Sequence, residues 1–281
     1  MHTSWGSATD RGPVRRVNED ALLAHPPVFL VADGMGGHAA GAVASGVAVE
    51  EFRALAGRLS VTPDEVHEVF GRIVAALRRR VPAGQSAGTT VAGVAVATLE
   101  GDAYWLVFNI GDSRVYRVGP DGMEQVSVDH SVVQELVDTG LLTPEDAADH
   151  PDRFVITRAV GTDAAPEPDY WLIPALPGDR ILVCSDGLTN ELDDPAIERV
   201  LEALDDPQEA AQDLVDRAVA AGGHDNVTVV VVDVGSAIPA DLDTTAHPPV
   251  RPTPAVAPAP WVEDLDGATL PRPDRTPEVP S

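Results

Sequence analysis

The feature that most limits what this chain can become is the stretch Val28-Phe29-Leu30-Val31-Ala32-Asp33-Gly34-Met35-Gly36-Gly37-His38, with an alanine-rich run from Ala39 to Ala56 behind it. Five consecutive apolar residues predict a buried strand, the glycines a turn with special backbone angles, and the alanine run a helix. Asp33 is thereby carried to a strand's end, beside glycines that let a metal ion or phosphate approach the backbone closely. The design recurs. Arg180 to Cys184 leads into Ser185-Asp186-Gly187, and Asp225-Asn226 precedes the apolar run Val227 to Val234. One Asp-Gly pair reads as an ordinary turn. Three apolar strands that each place an aspartate at an end favour a functional reading.

Other segments fill in the frame. The stretch Asp10 to Asp20 is dense in both charge signs, and Arg16 offers a guanidinium to an oxyanion while Glu19 and Asp20 offer carboxylates to a cation. Thr62-Pro63-Asp64-Glu65 is a capping box that opens an amphipathic helix, with Val66, Val69, Phe70, Ile73, Val74 and Leu77 on its core face and no chemistry. Val91 to Thr98 and Ala103 to Ile110 read as a hairpin, after which Gly111-Asp112-Ser113-Arg114 sets another acid behind an apolar strand. Asp129 to Gly161 reads as a largely helical insertion able to move over a site, and its His130 and His150 as surface groups. From Ser236 onward stand eleven of the chain's 25 prolines, with little apolar periodicity beyond Trp261, Val262 and Leu265, which predicts a disordered or extended tail.

Charge narrows the function classes. A net charge of -26 repels phosphate backbones, which argues against nucleic-acid and anionic-membrane roles. All 19 basic residues are arginine, which removes the phosphate-loop lysine and the kinase strand lysine. The single Cys184 permits no internal disulfide and no four-ligand Cys/His zinc pattern, and its place in an apolar strand makes it a core residue. With no signal peptide and no run of about 18 apolar residues, the expected location is the cytoplasm.

The acids at strand ends, namely Glu19, Asp20, Asp33, Asp112, Asp186 and Asp225, come without an imidazole or thiolate cluster. Any metal they hold is hard and oxygen-loving, Mg²⁺ or Mn²⁺. Two such ions close together lower the pKa of a shared water. The planar fork of Arg16 matches two phosphoryl oxygens, a charged hydrogen bond being worth about 1.5–3 kcal/mol, and His38 is placed to protonate a leaving alkoxide. The inventory fits metal-assisted hydrolysis of a phosphate monoester. A cysteine-nucleophile phosphatase needs an arginine six positions after Cys184, where Asn190 stands. An aspartyl nucleophile of Asp-x-Asp-x-Thr type fails at Met35 and at Leu188.

Eight motifs in order then resemble a known family: Asp10 to Asp20, Val31 to His38, Ser86 to Thr90, Asn109 to Arg114, Asp129-His130-Ser131, Thr157 to Gly161, Cys184 to Leu188, and Asp225 to Thr228. From about Ser4 to Val234 the chain resembles the metal-dependent (type 2C, PPM) Ser/Thr protein phosphatases, particularly the bacterial form that opposes Ser/Thr kinases. The resemblance implies an α+β fold, a four-layer αββα sandwich of two antiparallel sheets flanked by helices, in a catalytic domain over residues 1–235 with a flap at about 129–161 and a tail at 236–281. It implies a dinuclear Mn²⁺ or Mg²⁺ centre in which Asp33 bridges both ions, Glu19 and the Gly34 carbonyl serve one, and Asp186 and Asp225 the other. Asp20 would orient water, Arg16 hold the phosphate, His38 act as general acid, and Asp112 help hold a weaker third ion. Asn190 replaces the family's usual second acid for that third ion, which weakens the expectation there. The implied partners are phosphorylated proteins and a cognate Ser/Thr kinase, with no nucleic acid, no membrane span and a monomeric state. Two alternatives remain open: a catalytically silent phosphoprotein-binding regulator, which would have no need of the metal acids, and a specialised phosphatase of an anti-anti-sigma-type regulator.

Overall fold

A strand apolar at every position needs cover on both faces, and Val28–Ala32 (β3) is buried throughout. Leu30 and Ala32 face one way, into a layer built by the helices Ala40–Phe52 (α1) and Pro63–Arg80 (α2). Phe29 and Val31 face the other way, onto Val115, Ile181, Val183 and Val230 of a second sheet. Two sheets therefore share an inner apolar layer, and each needs an outer one. The first sheet runs in the order Asp169–Pro174 (β11), Asp102–Ile110 (β7), Val91–Leu99 (β6), β3 and Ala21–His25 (β2). The second runs Thr3–Asp10 (β1), Val227–Val234 (β13), Arg180–Cys184 (β12), Arg114–Gly119 (β8) and Gly122–Gln125 (β9). All of these pairings are antiparallel.

Asp194–Ala203 (α6) and Pro207–Ala221 (α7) cover the second sheet, where Leu214, Val215 and Ala218 meet Leu182, Val229 and Val231. The result is the four-layer αββα sandwich expected. Helix α2 begins as its sequence dictates: Thr62 Oγ1 accepts from the Glu65 N–H at 3.3 Å and a Glu65 carboxylate oxygen accepts from the Thr62 N–H at 2.8 Å. Its Phe70 packs edge-on to Phe52 and Phe108, with ring centroids 5.4 and 6.1 Å apart. Truncating such a residue to alanine costs about 3–5 kcal/mol. Cys184 is a buried core thiol, as its strand context predicts, and burial pushes it up to about 12.

The computed structural model describes residues 1–36, 40–82, 85–147, 149–161 and 166–235, except the side chain of Glu145, together with the backbone of two short segments further on. The chain divides into two compact units, Met1–Ile238 and Pro239–Ser281. In the second, Val262–Glu263 pairs antiparallel with Thr269–Leu270. The rest of the tail lies outside the described residues, as do His38 and its glycine neighbour Gly37.

The sequence did not reveal one element. Gly34–Met35 (β4), Gly88–Thr89 (β5) and Val160–Gly161 (β10) form a small third sheet in the order β10-β5-β4, where the glycines had suggested only a turn. Two-residue strands rich in glycine carry no alternation to read. The insertion contains Val132–Asp138 (α3) and Pro144–Ala147 (α4), and its two ends are tied by the bridge Ser131↔Ile156.

Candidate metal and phosphate site

Strand register decides where the acids meet. In the first sheet Ala21 pairs with Ala32 and Val91 with Ile110, so Asp20, Asp33 and Asp112 all leave at the same edge. In the second, Cys184 pairs with both Arg114 and Val229, and Asp10 with Val227. Asp186, at the head of the short helix Asp186–Thr189 (α5), and Asp225, just before β13, therefore leave together. Both sheets open at this end into a cleft of about 830 Å³, lined by Glu19, Asp33, Gly34, Asp112, Asp186 and Asp225.

The backbone here tolerates no side chain at three glycines. A Cβ on Gly34 would lie 2.2 Å from the Gly41 carbonyl oxygen and 2.5 Å from that of Glu19. One on Gly187 would lie 2.0 Å from the Asn226 carbonyl oxygen. Gly12 adopts φ +70° and backs onto the carbonyls of Gly223 and Asp225. These contacts clamp the loops carrying Glu19, Asp186 and Asp225 onto one another. Asn226 reinforces the clamp: its Oδ1 accepts from the Glu19 N–H at 2.8 Å, and its Nδ2 donates to the carbonyls of Arg11 and Val17 at 2.9 and 3.0 Å. Sequence reasoning placed Asn226 in a motif but gave it no task.

Packing carboxylates this tightly has an electrostatic signature. Burial, followed by the charges of Asp20, Asp186 and Asp112, holds the Asp33 carboxyl well above its ordinary range. Burial raises Asp20 to about 6, with Asp186 and Asp225 adding to the rise against hydrogen bonds from Thr228 and Ser185. Burial and then Asp186 raise Asp112 to about 7. Burial and then the charge of Asp225 raise Asp186. Asp20 does not line the cleft; it lies behind it, accepting from the Ser185 hydroxyl at 2.8 Å.

The buried Asp20 Oδ1 and Asp186 Oδ1 have no hydrogen-bond partner among the described residues. Uncompensated carboxylate oxygens in a low-dielectric pocket call for a cation. Glu19, Asp33, Asp112, Asp186, Asp225 and the Gly34 carbonyl present oxygen to the cleft, and the lining imidazole of His224 is engaged with Glu191 at 2.7 Å, so the acid set fits a hard divalent ion better than zinc or copper. Among the described residues no three acid or imidazole groups close on a single point as they stand. They ring the cleft, and like-charge repulsion is the cost of drawing them closer.

Two expectations need correction in position. Of the two neighbouring arginines it is Arg15 that lines the cleft, its Nη2 donating to Asp225 Oδ2 at 2.5 Å. Arg16 is exposed, does not line the cleft, and uses its carbonyl to accept from Arg11. Neighbouring loop residues point in different directions, and no periodicity marks which one turns inward. His130, read as a surface group, is buried at 2% exposure and bonded on both ring nitrogens. His38 lies outside the described residues. Arg153 and Phe154 of the insertion also line the cleft, with the guanidinium 4.1 Å from the ring centroid.

Comparison with known proteins places the fold in a family. Residues 15–217 match the family described as Protein phosphatase 2C. The chain belongs to that family. The serine/threonine protein phosphatase PstP of Mycobacterium tuberculosis is 40% identical over 237 residues, covering 82% of this chain and 45% of PstP, so the chain spans a little under half of that relative's length. The serine/threonine phosphatase stp of Listeria innocua is 34% identical over 248 residues, covering 83% and 96%. The crystal structure of the M. tuberculosis PstP/Ppp superposes with a TM-score of 0.75 at 35% identity, over 83% of this chain and 99% of that one. A PstP catalytic domain in complex with two manganese ions gives 0.72 at 34% identity, again over 83% and 99%. Among the described residues no helix of this phosphatase-2C chain is long and apolar enough to cross a membrane.

Proposed function

We propose that this chain hydrolyses phosphoserine and phosphothreonine on proteins, in the way its relatives' names describe. The observation that supports this most is the convergence of five aspartates from separate strand ends, two of them with buried oxygens that have no hydrogen-bond partner among the described residues. Asp33, Asp186, Asp225, Glu19 and the Gly34 carbonyl are the donors for two Mn²⁺ or Mg²⁺ ions, and Asp112 for a third, weaker one. When bound, such ions supply a water of lowered pKa and neutralise phosphoryl charge. Asp20, fixed through Ser185, orients that water. Arg15 takes the role expected of Arg16: its fork grips two phosphoryl oxygens once it releases Asp225. His38, on motif alone, protonates the departing seryl or threonyl oxygen. Asn190 Nδ2 is engaged as a donor to Asp186 Oδ2 at 3.0 Å, which leaves the third site with a neutral neighbour.

In this reading residues 1–235 are the catalytic domain, 129–161 its flap and 236–281 a separate tail. The enzyme is a cytoplasmic monomer that reverses the work of a cognate Ser/Thr kinase. The test is phosphate release from p-nitrophenyl phosphate and from a phosphothreonine peptide, with Mn²⁺ and then with chelator. Release of both that chelation abolishes is the expected result. Phosphate release from neither, with Mn²⁺ supplied to folded protein, would overturn the proposal in favour of a silent phosphoprotein-binding regulator.

A further inference from the structure

Asp112 sits on a turn that the flap itself holds. The Gly111 N–H donates to His130 Nδ1 at 3.1 Å, and the Gly111 carbonyl accepts from the His130 N–H at 2.9 Å, so one histidine brackets the residue before Asp112 from both sides. An amide N–H can only donate, so Nδ1 is the bare nitrogen and the ring proton is on Nε2. That Nε2–H donates to Asp169 Oδ2 at 3.1 Å, and Arg158 grips the same carboxylate at 3.0 and 3.3 Å.

His130 is also the flap's root. Its carbonyl accepts from the Thr157 N–H at 2.8 Å, and the next residues on each strand form the Ser131↔Ile156 bridge. On the far side the Asp112 turn is fixed by Thr90: a Cβ on Gly111, which has φ +110°, would lie 2.5 Å from Thr90 Cγ2. Thr90 in turn bonds the main chain of Asp33 in both directions, at 2.9 and 3.0 Å. The Asp112 turn is thus wedged between the strand end of Asp33 and the base of the flap.

We propose that His130, locked as the Nε2–H tautomer by Asp169 and Arg158, is a positioning residue that couples the seat of the flap to the orientation of Asp112. The functional half of this rests on the reading of Asp112 as a donor to the third ion. Partners that orient a ligand from behind are worth 10–100-fold in metal affinity. The flap's contacts with substrate and the weakest metal site would then report on each other.

Two substitutions separate the ring's two jobs. In His130→Asn the amide oxygen falls near the position of Nδ1 and still accepts from Gly111, whereas His130→Gln reaches toward Asp169 and leaves the buried Gly111 N–H without an acceptor. Both proteins are measured for amide hydrogen exchange at Gly111 and Asp112, for Mn²⁺ affinity of the weakest site by calorimetry, and for Tm, with Asp112→Asn in parallel. The expected result is faster exchange and about tenfold weaker Mn²⁺ binding in His130→Gln, with His130→Asn within about threefold of the native protein. Identical behaviour of the two variants, or a change in Tm with exchange and Mn²⁺ binding untouched, would overturn the proposal. So would ¹⁵N resonances showing the proton on Nδ1. If Asp112→Asn binds Mn²⁺ as the native protein does, the reading of Asp112 as a ligand is lost, and the exchange data alone decide whether His130 holds the turn.

Discussion

Asp33 and Asp112 approach the same cleft from the same sheet, yet they are held by different means. At Asp33 the main chain is bonded on both sides to a neighbouring loop: its N–H donates to Thr90 Oγ1 and its carbonyl accepts from the Thr90 N–H and the Thr89 hydroxyl. The strand behind it is buried at every position. At Asp112 the turn backs onto Thr90 on one side, but on the other it is held by the ring and main-chain N–H of His130, supplied by an insertion 18 residues further along. The first kind of site is fixed by the core and survives anything that leaves the sandwich folded. The second is only as fixed as the flap root.

The sharpest way to break this comparison is to remove a strand-end acid. Asp33→Asn or Asp186→Asn should cut turnover by at least about 10³-fold, beyond the 10²–10³ that loss of one transition-state donor costs elsewhere. Circular dichroism and Tm should show the fold intact, because both side chains lie at a strand end outside the packed layers. Turnover within tenfold of native, with Mn²⁺ in excess, would mean that the cleft acids are not the reaction centre. Next in size is the arginine pair. Arg15→Ala should lower kcat/KM by about 10²-fold and Arg16→Ala by less than about threefold, since only Arg15 faces Asp225 and the cleft. The reverse order would restore the assignment made from spacing alone.

Metal removal probes the acids as a group. Asp20 and Asp112 are raised from 3.8 to about 6 and about 7, and Asp33 and Asp186 are raised as well. Each gives up its proton less readily folded than unfolded, so the folded state binds more protons between about pH 4 and about pH 7. Stability of chelator-treated protein should therefore be greatest at the acid end of that window and fall as pH rises through it. Added Mn²⁺ should reverse the trend, by about 2.7 kcal/mol at a hundred times its Kd. Thermal melts at pH 5 and pH 7.5, with and without Mn²⁺, check it. A chelated protein whose Tm climbs between those pH values would show that the carboxylates do not repel one another in the way the cleft geometry requires.

How much of this was legible beforehand follows the same division. Strands such as Val28–Ala32 and Val227–Val234 announce themselves because burial on both faces demands unbroken apolar runs, and an aspartate at the end of such a run inherits a defined position. The capping box of α2 was readable for a similarly local reason. Arg15 against Arg16, the engagement of Asn226 with three loop main-chain groups, and the burial of His130 were not readable. Each depends on which way an aperiodic loop turns once distant strands have paired, and residue type alone does not encode that. The third small sheet was missed for want of alternation in two-residue strands, one of which, Gly34–Met35, lines the cleft directly.

The finest distinction concerns residue 190. Asn190 Nδ2 donates to Asp186 Oδ2 at 3.0 Å, so the amide steadies a strand-end acid and adds no charge to the weaker site. Asn190→Asp exchanges that donor for a second carboxylate. In the metal-free protein the new charge sits beside an already crowded Asp186, and Tm should fall by a few degrees for about 1 kcal/mol of repulsion. With Mn²⁺ present the balance inverts, because an anionic oxygen is a better ligand for a hard cation than an amide oxygen. The weakest site should tighten by up to about tenfold while the two tighter sites are unchanged, as read by Mn²⁺ titration calorimetry. A uniform shift of all sites would mean that residue 190 acts through Asp186 and not on an ion of its own, which would place the weaker site with the strand ends instead of with the flap.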